Sequence, residues 1–243
     1  MFAKLGEVVL SLALGVFHKL EKLTAKERVA LVNYLAKLEI KKRKTSKPII
    51  VAMLGLVGSG KSAVSKELAK YLGATVIEGD DIRTELRKLG ERFERTRAIA
   101  EKIAFHVIQC EGNVILDSDF IDAKKRASIR EKARKAGVRL VFIRTYCDLD
   151  VVVGRIHTAV YGNKEEDFFV GTPTEWQGSD QSKGAVVKVR EMWRRTPNHY
   201  RWSRRAGGRW HLRKFPVDFF AEINTTHEEE WRSAVRRCVS GLI

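Results

Sequence analysis

The chain has few cysteines: three in 243 residues. Cys110, Cys147 and Cys238 stand far apart without a C-x-x-C spacing, which excludes a disulfide framework and a cysteine zinc site. The six histidines, His18, His106, His157, His199, His211 and His227, also lack ligand spacing and read as exposed or structurally satisfied. Proline is scarce, with four residues, and 44% of the chain is hydrophobic, so disordered and collagenous classes are excluded. Long apolar runs are missing too. The longest, Val8 to Phe17, spans ten residues, and a helix of that length cannot cross about 30 Å of hydrocarbon. The HKLEKLTAKE that follows offers no small-x-small cleavage site, so a buried or partner-facing helix is expected there rather than a targeting segment. Free thiols and the absence of a membrane-length run make a reducing, cytoplasmic compartment the simplest expectation.

Negative charge is in deficit: 30 Asp and Glu face 46 Lys and Arg, for a net charge of +16. Anionic partners follow, whether nucleotide, polynucleotide or acidic membrane surface.

Residues 1–40 read as two helices. The second opens with Thr24-Ala25-Lys26-Glu27, a capping box, and continues as an apolar stripe of Val29, Leu31, Val32, Leu35 and Leu38. Lys41 to Pro48 then reads as a solvated basic linker. Residues 1–45 are therefore taken as a helical extension, with 46–243 as one domain. The N-terminal helices could pack on that domain, join two copies of the chain or dock on an anionic membrane.

Beyond the linker, strands and helices alternate, the pattern of an α/β fold with a parallel sheet covered by helices on both faces. Five strands are predicted: Ile49 to Leu54, Ala74 to Ile77, Val114 to Leu116, Leu140 to Thr145 and Phe219 to Ile223. Helices are predicted at Ser62 to Leu72, Asp81 to Leu89, Arg95 to Cys110, Ala123 to Ala136 and Leu149 to Val160. Tyr161 to Lys183 has no periodicity and reads as a lid, taken as about 155–183. An insert at about 188–215 interleaves arginines with Trp193, Tyr200, Trp202 and Trp210, and Gly207-Gly208 within it predicts a hairpin. Its aromatics read either as a hairpin core or as stacking faces for nucleic acid.

Gly55-Leu56-Val57-Gly58-Ser59-Gly60-Lys61-Ser62 satisfies G-x-x-x-x-G-K-[ST] between a predicted strand and a predicted helix, the context a phosphate-binding P-loop requires. The assignment places Gly55, Gly58, Ser59, Gly60, Lys61 and Ser62 around the phosphates of ATP, with Lys61 on the β- and γ-phosphates and Ser62 on Mg²⁺. Asp117, ending the apolar Val114-Ile115-Leu116, is the second candidate Mg²⁺ residue, and Asp119 is expected to point the same way. Asp80, after the second strand, lies where parallel sheets open their ligand crevice, unless it merely caps the next helix.

The runs GLVGSGKS, EGDDIR, EGNVILDSDFIDAKKRASIREKARKAG and DLDVVVGRI resemble the P-loop kinases that group polynucleotide 5′-hydroxyl kinases, adenylylsulfate kinases and zeta-toxin-like sugar-nucleotide kinases. The resemblance covers roughly residues 49–160. It implies a P-loop NTPase fold of five parallel strands with Asp80 as base, Arg83 as substrate clamp, Arg126 as a substrate-side arginine and Arg155 at the start of the lid, on ATP phosphates. The usual second lid arginine is missing, which shifts that role to Lys183, Arg190, Arg194 or Arg195. The implied activity is transfer of the ATP γ-phosphate to a hydroxyl on an anionic small-molecule or polynucleotide acceptor. The alternative is an ATPase that uses ATP binding to gate its grip on nucleic acid or a partner.

Overall fold

The structure, a computed structural model, describes residues 23–159, 180–205 and 208–243. The elements run α1 (Ala25–Lys37), β1 (Ile49–Leu54), α2 (Lys61–Leu72), β2 (Ala74–Glu78), α3 (Gly79–Lys88), a 3-10 turn (Phe93–Arg95), α4 (Thr96–Gln109) and β3 (Asn113–Asp117). They continue through α5 (Ala123–Lys135), β4 (Arg139–Tyr146), α6 (Leu149–Thr158), α7 (Asp180–His199), the hairpin β5 (Tyr200–Ser203) and β6 (Arg209–Leu212), β7 (Ala221–Asn224) and α8 (Glu228–Ser240).

Five parallel strands form one sheet in the order β2-β3-β1-β4-β7, so the predicted α/β architecture is the observed one. All six residues of β1 are buried, as a central strand covered on both faces requires. Their parity divides them between two cores. Ile50, Ala52 and Leu54 face a cluster with α1, α3, α4 and α5. Ile49, Val51 and Met53 face Val64 and Leu68 of α2 and Trp231 and Val235 of α8. P-loop and carboxylate positions lie at the strands' C-terminal ends, where such sheets hold ligands.

The capping box of α1 is present: Glu27 N–H donates to Thr24 Oγ1 at 3.1 Å and Thr24 N–H to Glu27 Oε2 at 2.8 Å. Its buried face is Glu27, Ala30, Leu31 and Tyr34, and Val29 of the expected stripe is 45% exposed. Ala30, Leu31 and Tyr34 share the cluster that holds Ile82 and Ile103, so residues 25–37 pack on the core of 46–243. The Val8 to Phe17 segment lies outside the described residues.

The basic run is exposed at Lys41, Lys42 and Lys47 but anchored elsewhere, with Arg43 donating to Glu111 O at 2.8 Å and Lys44 Nζ to Lys70 O at 2.9 Å, and it is pinned along its backbone. Lys41 N–H donates to Thr75 Oγ1 (3.0 Å) and Lys44 N–H to Leu72 O (2.9 Å), while buried Asn113 joins Thr45 to Ile49. It is therefore a strap across the N-terminal ends of the strands.

β7 begins at Ala221 rather than Phe219 because the residues before it turn to enclose a buried cation. The Arg144 guanidinium lies 4.6 Å from the Phe215 ring centroid and 5.7 Å from that of Phe219. It donates to Glu222 Oε2 at 3.1 Å and to His199 O at 3.4 Å. Arg144→Ala leaves that carbonyl without its side-chain donor and removes both ring contacts, at an expected cost of about 2–3 kcal/mol, read from the urea midpoint.

Candidate active site

The P-loop is held open from behind. Gly60 takes a left-handed conformation (φ 79°) at the N-cap of α2, with no side-chain cap, which leaves the helix N–H groups facing the cleft. Gly58 (φ 82°) lies so close to α6 that a Cβ would sit 2.8 Å from Val152 Cγ1. Lys61 Nζ folds back on the loop, donating to Gly55 O (2.8 Å) and Leu56 O (3.1 Å).

Ser59, expected at the phosphates from the loop motif, and Arg155, expected there from the family resemblance, turn their side chains to bracing the loop. The Ser59 hydroxyl is fully buried against Thr145 Oγ1 at 2.9 Å, and Ser59 N–H bonds Leu56 O, so this residue stiffens the turn. Arg155 does not line the cleft. It shares one face of α6 with Val152 and Ile156, which is the face turned to the underside of the loop. There its guanidinium donates to Thr225 O, to Thr225 Oγ1 at 3.1 Å and to Gly58 O at 3.5 Å, while Thr225 Oγ1 lies 3.0 Å from Ser59 O. Most of the expected lid, 160–179, lies outside the described residues, and Lys183 has no described side chain.

The expected cation pair, Ser62 and Asp117, lines the same cleft. Asp117 is buried, and its Oδ2 has no hydrogen-bond partner. Strand register sets Glu78 opposite Asp117. Burial chiefly pushes the Glu78 carboxyl up, opposed by Lys66 and reinforced by Asp81, Asp117 and Asp80. A buried, unpartnered carboxylate oxygen among other carboxylates fits a bound divalent cation. No group of three or more His, Cys, Asp or Glu able to hold a metal occurs among the described residues. Mg²⁺ takes one or two protein ligands and completes its shell with phosphate and water, and Ser62 and Asp117 supply two such positions on the cleft.

Across the cleft, α3 starts at Gly79, two residues earlier than predicted. The cap position is Glu78, and no side chain caps the helix, so Asp80 is not spent on capping. Asp80 and Arg83 lie one turn apart, ion-paired, and both line the cleft. The extension supports this element: the Tyr34 hydroxyl accepts Glu78 N–H at 3.2 Å, and Lys37 Nζ meets Glu85 at 2.6 Å.

Arg126 departs from expectation. It is 4% exposed and donates to Phe120 O (2.9 Å) and Ile121 O (2.5 Å), fastening the turn after β3 rather than reaching the cleft. Its neighbour Lys125 lines the cleft instead. Burial lowers the Lys125 ammonium pKa, Asp119 and Asp122 oppose this, and Arg195 and Arg83, which line the same cleft, add to it.

A further pair was not legible in the sequence. Asp119 does share the side of Asp117, as its spacing predicts, yet its Oδ2 meets Nε2 of buried His199, 80 residues away, at 3.0 Å. Its Oδ1 lies 3.4 Å from Gly55 N. Burial alone would raise the Asp119 carboxyl. The His199 hydrogen bond and charge, with Lys61 and Gly55 N–H, outweigh it and hold the group below the usual carboxylate range. With the folded value depressed, this pairing stabilises the fold fully above that range and loses its contribution as pH falls through it. His199→Leu leaves a buried carboxylate underpaired beside Gly55. The expected result is a KM for ATP raised about 10-fold, which is about 1.4 kcal/mol, and a flatter acid limb in thermal unfolding against pH.

The cleft encloses about 1090 Å³ and is lined by Lys61, Ser62 and Asp117 together with Asp80 and Arg83. Lys188, Arg190, Arg194 and Arg195 of α7 also line it. Glu191 pairs with Arg194 at 2.7 Å and also with Arg195.

This fold and this glycine loop define a P-loop NTPase fold of the kinase type. The family model described as an AAA domain matches residues 50–168. The adenylyl-sulfate kinase of Bacillus pumilus is 30% identical over 158 residues, covering 59% of this chain and 78% of that protein. The probable adenylyl-sulfate kinase of Bacillus subtilis matches to the same extent, 30% over 158 residues, with 59% and 78% covered. A solved structure from Chloroflexus aurantiacus, 16% identical, superposes with a TM-score of 0.52 over 82% of this chain and 100% of that one, a likeness of fold. The chain belongs to the P-loop kinase group that contains the adenylyl-sulfate kinases.

Proposed function

We propose that this chain transfers the γ-phosphate of Mg²⁺-ATP to a hydroxyl of an anionic, nucleotide-like or polynucleotide acceptor. One observation carries the reading: the loop and carboxylate residues Lys61, Ser62 and Asp117 line the same cleft as Asp80 and Arg83.

Phosphoryl transfer asks chiefly for positioning and for positive charge about the moving group. The N–H groups of the loop and of the α2 N-terminus take the phosphates, and Lys61 leaves Gly55 O and Leu56 O to reach them. Ser62 and Asp117 would hold Mg²⁺, which supplies charge neutralisation at the phosphates. Asp80 accepts the proton of the acceptor hydroxyl as that oxygen bonds to the γ-phosphorus. The bond to the β,γ-bridging oxygen breaks with its electron pair, releasing ADP. Arg83 orients Asp80 and presents its charge to the acceptor.

The test is transfer of labelled γ-phosphate to a panel of a 5′-hydroxyl oligonucleotide, adenylylsulfate, nucleosides and a UDP-sugar. Transfer to one acceptor supports the reading and names the class. ATP hydrolysis alone, unaltered by Asp80→Ala, favours the ATP-gated binding alternative.

A further inference from the structure

α7 and the β5–β6 hairpin carry three tryptophans that a folded domain has reason to bury and does not. Trp193, Trp202 and Trp210 are 45%, 49% and 36% exposed. They form a row, with Trp202 and Trp210 centroids 5.4 Å apart at 63° and Trp210 and Trp193 centroids 6.2 Å apart at 47°. The hairpin register pairs Trp202 with Trp210, which fixes both rings on one face. Trp202 rests directly on Gly208, where a Cβ would meet the ring at 2.6 Å. The subdomain has a core without them: Met192, Thr196 and Tyr200 are buried. The Tyr200 hydroxyl is bonded to Cys147 O at 2.8 Å, which removes Tyr200 from any stacking role. Three partly exposed tryptophans in contact on a charged chain mark an interaction surface.

We infer that this row is a stacking platform for the bases of a single-stranded nucleic acid whose terminal hydroxyl enters the cleft. The inference rests on the kinase reading for the use made of the strand, though not for its binding. The occupant follows from charge and continuity. Trp193 stands on α7 between Arg190 and Arg194, and both arginines line the phosphotransfer cleft. A strand lying along the tryptophans thus meets Arg190, with Arg194 beside it paired to Glu191, where its phosphates approach α7, in a chain of net charge +16. Aromatic faces for bases beside arginines for phosphates make a single-strand site without sequence preference.

The test is quenching of tryptophan fluorescence when the full chain is titrated with a 5′-hydroxyl RNA 12-mer, beside Trp193→Ala and Trp210→Ala. The conservative Trp202→Phe keeps a ring over Gly208 and guards against loss of the hairpin. Quenching is expected, with affinity weakened about 10-fold by each alanine, largely kept by Trp202→Phe, and KM for ATP unchanged throughout. Equal affinity in wild type and alanine variants overturns the inference, as does binding to phosphatidylserine vesicles without binding to the RNA. The two readings fail separately. Quenching lost in the variants with no transfer to any acceptor upholds the platform against the kinase reading. Transfer to a small acceptor with no RNA binding does the opposite.

Discussion

Lys61→Ala is expected to lower phosphoryl transfer about 10³-fold, equivalent to about 4 kcal/mol of transition-state stabilisation. Lys61 is the cation of the P-loop itself, and the cleft side of that loop otherwise offers neutral N–H groups. Arg155, the other cation at the loop, is committed to Thr225 and Gly58 on its far side. Arg190, Arg194 and Arg195 approach from α7, and two of these are already paired with Glu191. The fold should be little affected, because the Lys61 side chain bonds two carbonyls of the loop and the Asp119 carboxylate that its charge supports keeps its His199 partner. Steady-state kinetics and a urea melt on the same preparation check both parts.

Asp80→Asn is expected to reduce kcat by about 10²- to 10³-fold, with KM for ATP near that of the wild type. The split follows from placement. Asp80 is the second residue of α3, lines the cleft and caps nothing, so loss of this proposed proton acceptor is expected to leave the glycine loop undisturbed. Arg83→Ala should instead act mainly on KM for the acceptor. Equal loss of ATP affinity in Asp80→Asn would place that residue at ATP rather than at the acceptor.

Much of this was legible before any coordinates. Doubly buried strands such as Ile49–Leu54 announce themselves as continuous apolar runs, and a glycine loop between strand and helix is local in sequence. What stayed hidden depends on which way a side chain turns. Arg126 and Arg155 sit on the expected helices, but their guanidiniums reach backbone carbonyls behind the turn after β3 and behind the P-loop. Position along a helix does not decide between the cleft and the carbonyls one turn away. The Asp119–His199 pair joins the residue just past β3 to the end of α7, 80 positions away, so local patterning carries no trace of it. The packing of α1 was half readable. Its capping box lies in consecutive residues, whereas the choice of Ala30 and Tyr34 over Val29 for burial follows from the surface that α3 presents.

The central claim is that one cleft joins ATP to an acceptor hydroxyl. The most direct measurement is phosphorus NMR of ATP and Mg²⁺ turned over by the full chain with the acceptor that the panel selects. The account predicts ADP and a new phosphomonoester in equal amounts, with little inorganic phosphate and no ester from Asp80→Asn in the same interval. ADP and inorganic phosphate in equal amounts, at the same rate with and without acceptor, would contradict it.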